Sequence, residues 1–225
     1  TMPGSPHYWY FGNLKVVPRI INDVIILKGC EANILDVDGN IDIPNNAMKN
    51  LDYMIASFHE PVFEPKSLEE NTNAILNAIY KYDKLEILGH LGNPNYELDY
   101  DIIVKKAKEN NIMIEINNSS LSGSSRIGSN VNCEKVALLC KKHGTKVILT
   151  SDAHINLKIC DFSKSIELLN KIKKCLKTKG KIFIEVFTKQ HYANRKETRD
   201  WEYVIKDGFW SKNSYLELNA FYRYD

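Results

Sequence analysis

Five short segments of this chain carry side chains of the kinds that can bind metals or move protons. They are Gly29-Cys30-Glu31-Ala32-Asn33, Ser57-Phe58-His59-Glu60-Pro61, Gly89-His90-Leu91-Gly92-Asn93-Pro94, Glu115-Ile116-Asn117-Asn118-Ser119-Ser120 and Thr150-Ser151-Asp152-Ala153-His154. Glu31, His59, His90, Asp152 and His154 offer nitrogen and oxygen donors without sulfur. That donor set suits zinc, manganese or iron in catalytic sites better than in structural ones. A carboxylate such as Glu31 can bridge two ions, which points to more than one metal. His143, at a helix end, and His191, in a polar tail, read as solvated histidines. Glu60 reads as a hydrogen-bonding neighbour of His59. Cys30 precedes Glu31 on a strand, so it points to the opposite face and into the core.

The spacing of these residues calls for a particular scaffold. Glu31, His59, His90, Asn117 and Asp152 follow one another at intervals of 28, 31, 27 and 35 residues. Each interval is about one βα repeat of roughly thirty residues. Continuous apolar runs at 24–28, 53–57, 85–88, 112–116 and 146–149 read as parallel strands covered on both faces. Between them lie helical patterns. Ser67-Leu68-Glu69-Glu70 is a capping box that opens a helix running to about Tyr82, with Leu68, Ile75, Leu76 and Ile79 facing the core. Further helices cover about 98–110 and 131–143. A fourth, from about Asp161, sets Phe162, Ile166, Leu169, Ile172 and Leu176 on one stripe. Gly144 and Gly180 stand where helix C-caps are wanted. Asp38-Gly39-Asn40 marks a hairpin turn between Ile34 and Ile43. Parallel strands point one way, so the five polar ends converge on a single rim, which in a βα-barrel is the rim that carries active sites.

Composition excludes several classes. The chain has 225 residues, 44% hydrophobic and 26% charged, with a net charge of +2. That is enough for one domain with a sizeable core, and the charge balance gives no case for a nucleic-acid or membrane partner. Five scattered cysteines, none in a C-x-x-C pair, suggest neither a disulfide framework nor a thiolate zinc site and fit a reduced, cytoplasmic protein. No apolar run approaches the length of a membrane span. From about Lys181 the pattern changes to one more strand, then an aromatic-rich stretch with an Asp207-Gly208 turn that reads as a β-hairpin. Aromatics interleaved with Lys and Arg can bind single-stranded nucleic acid. The near-neutral charge favours packing surface instead.

The five ordered motifs together resemble the PHP family (polymerase and histidinol phosphatase), in its branch of small stand-alone bacterial phosphatases. Pro6-His7-Tyr8-Trp9-Tyr10-Phe11 resembles a loop of the same branch. The resemblance covers about residues 1–176 and implies a distorted seven-stranded βα-barrel of α/β class holding a trinuclear, usually zinc, centre. By that resemblance Glu31 bridges two ions, His59 and His90 bind one of them, and Asp152 and His154 complete the other sites. Asn117, Arg126 and His7 are the expected substrate-binding residues. Arg126 is the cation of a Ser/Gly-rich loop at 119–129, where a guanidinium can grip phosphate in bidentate fashion. The expected partner is a small phosphorylated substrate.

The family's opening His-x-His strand, the His that follows it and its Thr-Asp-His strand have no counterpart here. The expectation is therefore an incomplete barrel over residues 1–180, lacking its first βα units, with an unassigned appendage at 181–225. Phosphomonoester hydrolysis, with metals holding the phosphate oxygens during in-line attack, would be impaired in this chain and restored by the His-rich strands. A rival reading is a non-catalytic metal-binding or interaction domain derived from the same barrel. An amidohydrolase-like reaction is disfavoured, because no strand end offers the lysine that such a site uses.

Overall fold

Alternating apolar strands and amphipathic helices can bury both sheet faces only if the helices return over the sheet, and this is what the chain does. The computed structural model describes residues 5–21, 24–122, 126–154, 156–159 and 161–173, with the backbone of strand segments 183–184, 198–204 and 215–221. The elements run α1 (Trp9–Asn13), β1 (Ile20–Ile21), β2 (Val24–Ile25), β3 (Gly29–Asn33), α2 (Asn45–Met48) and β4 (Tyr53–Ser57). They continue with α3 (Leu68–Lys81), β5 (Leu85–Leu88), α4 (Tyr100–Glu109), β6 (Met113–Asn117), α5 (Asn118–Leu121) and α6 (Ser129–His143). The last are β7 (Val147–Thr150), α7 (Ser163–Lys173), β8 (Phe183–Ile184), β9 (Thr198–Val204) and β10 (Tyr215–Phe221). Two compact units result, Thr1–Glu185 and Val186–Asp225.

In the first unit, β3 to β8 form a six-stranded sheet in sequential order. Every neighbouring pair is parallel. Parallel crossovers are right-handed, so an order that never reverses keeps the helices on one side and curls the sheet. Among the described strands there is no switch point of the kind that makes an open doubly wound sheet. The result is a barrel-like α/β fold in which the C-terminal ends of β3 to β8 share one rim. In the second unit β9 and β10 pair antiparallel, Thr198 opposite Phe221 and Val204 opposite Tyr215. The Asp207-Gly208 turn lies outside the described residues, as do His191, Leu176 and Gly180. No described helix is long and apolar enough to cross a membrane.

The core lies between the sheet and its helices. Alanines matter as much as large residues: Ala74 and Ala78 of α3 are fully buried beside Ile75 and Ile79. This places the helix close over Leu85 and Leu88. Leu68, on the same stripe by spacing, is 46% exposed. It is the first residue of α3, beside the polar capping box, and the covered stripe starts only at Asn71. Ile166 of α7 is likewise 40% exposed, while Phe162, Leu168 and Leu169 carry that contact. The first strand also differs from expectation. Residues 24–25 pair antiparallel with Ile20–Ile21. The sheet strand is Gly29–Asn33, read above as a strand end. Its alternation sends Cys30 and Ala32 into the helix-side core, and a Cβ on Gly29 would lie 2.4 Å from the Tyr53 ring, which would have to turn aside.

Capping follows the sequence closely. Ser67 and Glu70 form both halves of the capping box, and Gly144 closes α6 in the left-handed conformation. Ser67→Ala should cost about 1 kcal/mol, a fall of roughly 2–4 °C in melting temperature for a chain of this size. An unchanged melting curve would show that water replaces the cap without loss.

Candidate metal centre

Three of the site positions share one local construction. β4 ends at Ser57, β5 at Leu88 and β7 at Thr150, and His59, His90 and Asp152 each stand two residues beyond. His90 and Asp152 adopt left-handed backbone, with φ of 28° and 48°. Non-glycine residues rarely do so, and such strain concentrates where a side chain has to be aimed. Glu31 reaches the same place from within β3, whose alternation puts Glu31 and Asn33 on the face opposite Cys30 and Ala32.

Glu31, His59 and His90 come together, with one ligand atom of each within 4.8 Å of the others. Glu31 Oε1 lies 3.0 Å from His90 Nε2 and 3.7 Å from His59 Nε2. Ligands about 2.0–2.1 Å from one tetrahedral ion stand roughly 3.3 Å apart, so these separations bracket what an ion needs. Ser57 Oγ donates to Glu31 Oε1 at 2.7 Å. His59 Nδ1 meets Asn33 Oδ1 at 2.8 Å, while Asn33 Nδ2 donates to Asp42 Oδ2 at 2.6 Å. The Asp42 carboxylate thus turns the Asn33 carbonyl toward the imidazole. That makes Nδ1 the protonated nitrogen and leaves the Nε2 lone pair free, the tautomer a metal ligand requires.

The electrostatics agree. Burial pushes the Glu31 carboxyl up, but bonding to His90, the His90 charge and the Ser57 hydroxyl outweigh it and bring it down to about 2. Burial, with the charges of His90 and Arg126, lowers His59 against the opposing pull of Glu31. Glu31 is therefore anionic and His59 neutral at pH 7. Metal affinity should be flat above about pH 6.5, the ordinary imidazole value, and fall below it, because the lowered His59 takes up a proton in competition with a metal only there. Chelator-competition titrations from pH 8 to pH 5 test this. Loss confined to the carboxylate range would show that the imidazoles are not ligands.

Asp152 and His154 do not join that group. Asp152 Oδ2 accepts from Asn117 Nδ2 at 3.1 Å and from Arg126 at 3.3 Å. Arg126 also donates to Ser120 Oγ at 3.1 Å, so Asn117, Arg126 and Asp152 form a network of their own. The His154 side chain is 84% exposed, and its Nδ1 lies 3.6 Å from Asp152 Oδ1. His7 is exposed and contacts its own loop, accepting from the Trp9 amide and packing on Tyr8. His143 pairs with Asp101 at 2.8 Å, and Glu60 accepts from Asn93 and Asn95.

Four residues escaped the sequence reading: Asn33, Asp42, Ser57 and Glu115. Asn33, Ser57 and Glu115 stand in the quoted motifs, and strand alternation already put Asn33 on the Glu31 face. Ser57's part depends on the pairing of β3 with β4, and Asp42, outside the motifs, carried no signal of its own.

The donor set, its separations and the fixed His59 tautomer fit a divalent metal ion, on an α/β barrel-like scaffold. No family model matches the chain. It is 54% identical over 171 residues to a probable phosphatase of Clostridium acetobutylicum, covering 76% of this chain and 69% of that protein. It is 52% identical over 171 residues to a probable phosphatase of Clostridium novyi, with the same coverage. A probable phosphatase of Aliivibrio fischeri is 49% identical over 170 residues, covering 76% of this chain and 68% of its own length. The chain belongs to the bacterial family that these probable phosphatases represent.

Proposed function

We propose that this protein is a metal-dependent phosphomonoesterase of the PHP type, with a multinuclear zinc centre on the rim of a distorted barrel. The reading rests on the juxtaposition of Glu31, His59 and His90 in a member of a probable-phosphatase family. Manganese or iron would suit the same nitrogen and oxygen donors. Bound there, the metal supplies a Lewis acid for phosphate oxygens and eases the ionisation of water near neutral pH.

The chain's own residues do the rest. Glu31 holds an anionic oxygen between the two imidazoles. Asp152, kept in its left-handed turn by Asn117, and His154 beside it are the donors for further ions. Arg126 is the phosphate ligand, its guanidinium offering donors beyond those spent on Asp152 and Ser120. The three described cysteines are buried free thiols, which suits a cytoplasmic setting.

The test is phosphate release from an aryl phosphate monoester with zinc or manganese added. It compares this chain with a version that also carries the family's His-x-His and Thr-Asp-His strands. Robust metal-dependent turnover by the extended version, lost in its Glu31→Ala variant, is the expected result. Absence of turnover in both, with metal bound, would favour the non-catalytic metal-binding domain and sink the phosphatase reading.

A further inference from the structure

Among the described residues, one buried acid is not used by the reading above. Glu115 sits on β6 with only 7% of its surface exposed, between the core residues Ile114 and Ile116 of the same strand. Burying a carboxylate is unfavourable unless its oxygens are paired with donors. Here both are. Oε2 accepts the backbone N–H of His90 at 2.6 Å, and Oε1 accepts the Thr150 hydroxyl at 2.6 Å.

The partner that matters is His90. Its backbone φ is 28°, a conformation that a residue with a side chain keeps only when its surroundings hold it there. Its side chain is buried and its Nε2 stands 3.0 Å from Glu31 Oε1. A relaxed φ would swing that nitrogen away from Glu31. Thr150 in turn anchors Glu115 to β7, so three adjacent strand ends are tied through one carboxylate.

We propose that Glu115 is a positioning residue for the metal centre, one that fixes the His90 imidazole by gripping the His90 amide in a left-handed turn. The inference rests on the metal reading of Glu31, His59 and His90. It assigns to Glu115 no contact with metal or substrate, and it depends on the acceptor oxygen, not on the charge.

Zinc affinity is measured by competition with a chromophoric chelator, coordination geometry by the visible spectrum of added cobalt(II), and folding by thermal melting without metal. Glu115→Ala should weaken zinc binding at least about tenfold, the low end for loss of a group that orients a ligand, and should alter the cobalt spectrum. Glu115→Leu, which fills the same volume, should do likewise if alanine compromises the fold. Glu115→Gln should stay within about threefold of the parent, because its amide oxygen still accepts from His90 and its NH2 can face the Thr150 oxygen. Against a His90→Ala background, Glu115→Ala should add nothing further, since Glu115 acts only through that residue.

Parent-like affinity and spectrum in Glu115→Leu overturn the proposal. So does a Glu115→Gln loss as large as that of alanine, which would make the charge responsible, and so do losses that multiply in the double variant. A parent chain that binds no zinc is a separate result. It removes the metal reading itself, and this inference with it.

Discussion

His59→Ala and His90→Ala should each strip most of the added zinc from this chain, whereas His143→Ala and His191→Ala should leave it in place. Each of the first two removes one of three donors whose ligand atoms lie within 4.8 Å of one another. Residues that merely orient a ligand cost roughly ten- to a hundred-fold in affinity when lost, so a ligand itself should cost at least an order of magnitude. His143 contributes a partly exposed pair with Asp101, and such pairs have little effect on anything distant. His191 lies outside the described residues and serves as a second control. The measurement is elemental analysis of the purified variants after dialysis against a weak chelator. Equal zinc in all four would place any metal elsewhere and end the assignment of this rim.

Gly39→Ala should destabilise the fold far more than Gly144→Ala, although both glycines have left-handed φ, 72° and 69°. A Cβ on Gly39 would stand 2.3 Å from the Ala78 amide nitrogen and 2.7 Å from the Asn77 carbonyl carbon, both backbone of α3. Helix backbone cannot move aside as a side chain can. Around Gly144 nothing lies within 4 Å of the added carbon. Left-handed strain costs roughly 1–2 kcal/mol at either site, and overpacking adds about 1–3 kcal/mol at Gly39 alone. In melting temperature that is a drop of about 5–15 °C for Gly39→Ala, against a few degrees for Gly144→Ala. Equal shifts would mean that the hairpin after β3 moves off α3 without penalty. The consequence reaches the site, because that hairpin also carries Asp42, which orients Asn33 and through it His59.

The alternation of strands and helices, the Ser67 cap, the Gly144 C-cap and the Asp38-Gly39-Asn40 hairpin were legible because each rests on a local preference that the fold does not override. So was the meeting of His59 and His90 at one place, since both follow a buried strand by two residues and parallel strands share a direction. The first sheet strand was misplaced for a related reason. Residues 24–28 are more apolar than 29–33, but pairing with β4 selects the segment with Gly29 facing the Tyr53 ring and with Cys30 and Ala32 for the core.

The amino-acid sequence by itself determined which residues reach the rim: a period of about thirty residues, apolar strands and polar ends leave little choice. Only the tertiary structure decided how they divide there. Glu31, His59 and His90 close on one another, while Asp152 turns to Arg126 and Asn117. Periodicity specifies the strand on which a side chain stands. Its direction at the strand end depends on φ, on hydrogen bonds to residues as distant in sequence as Glu115 is from His90, and on which neighbouring strand offers the partner.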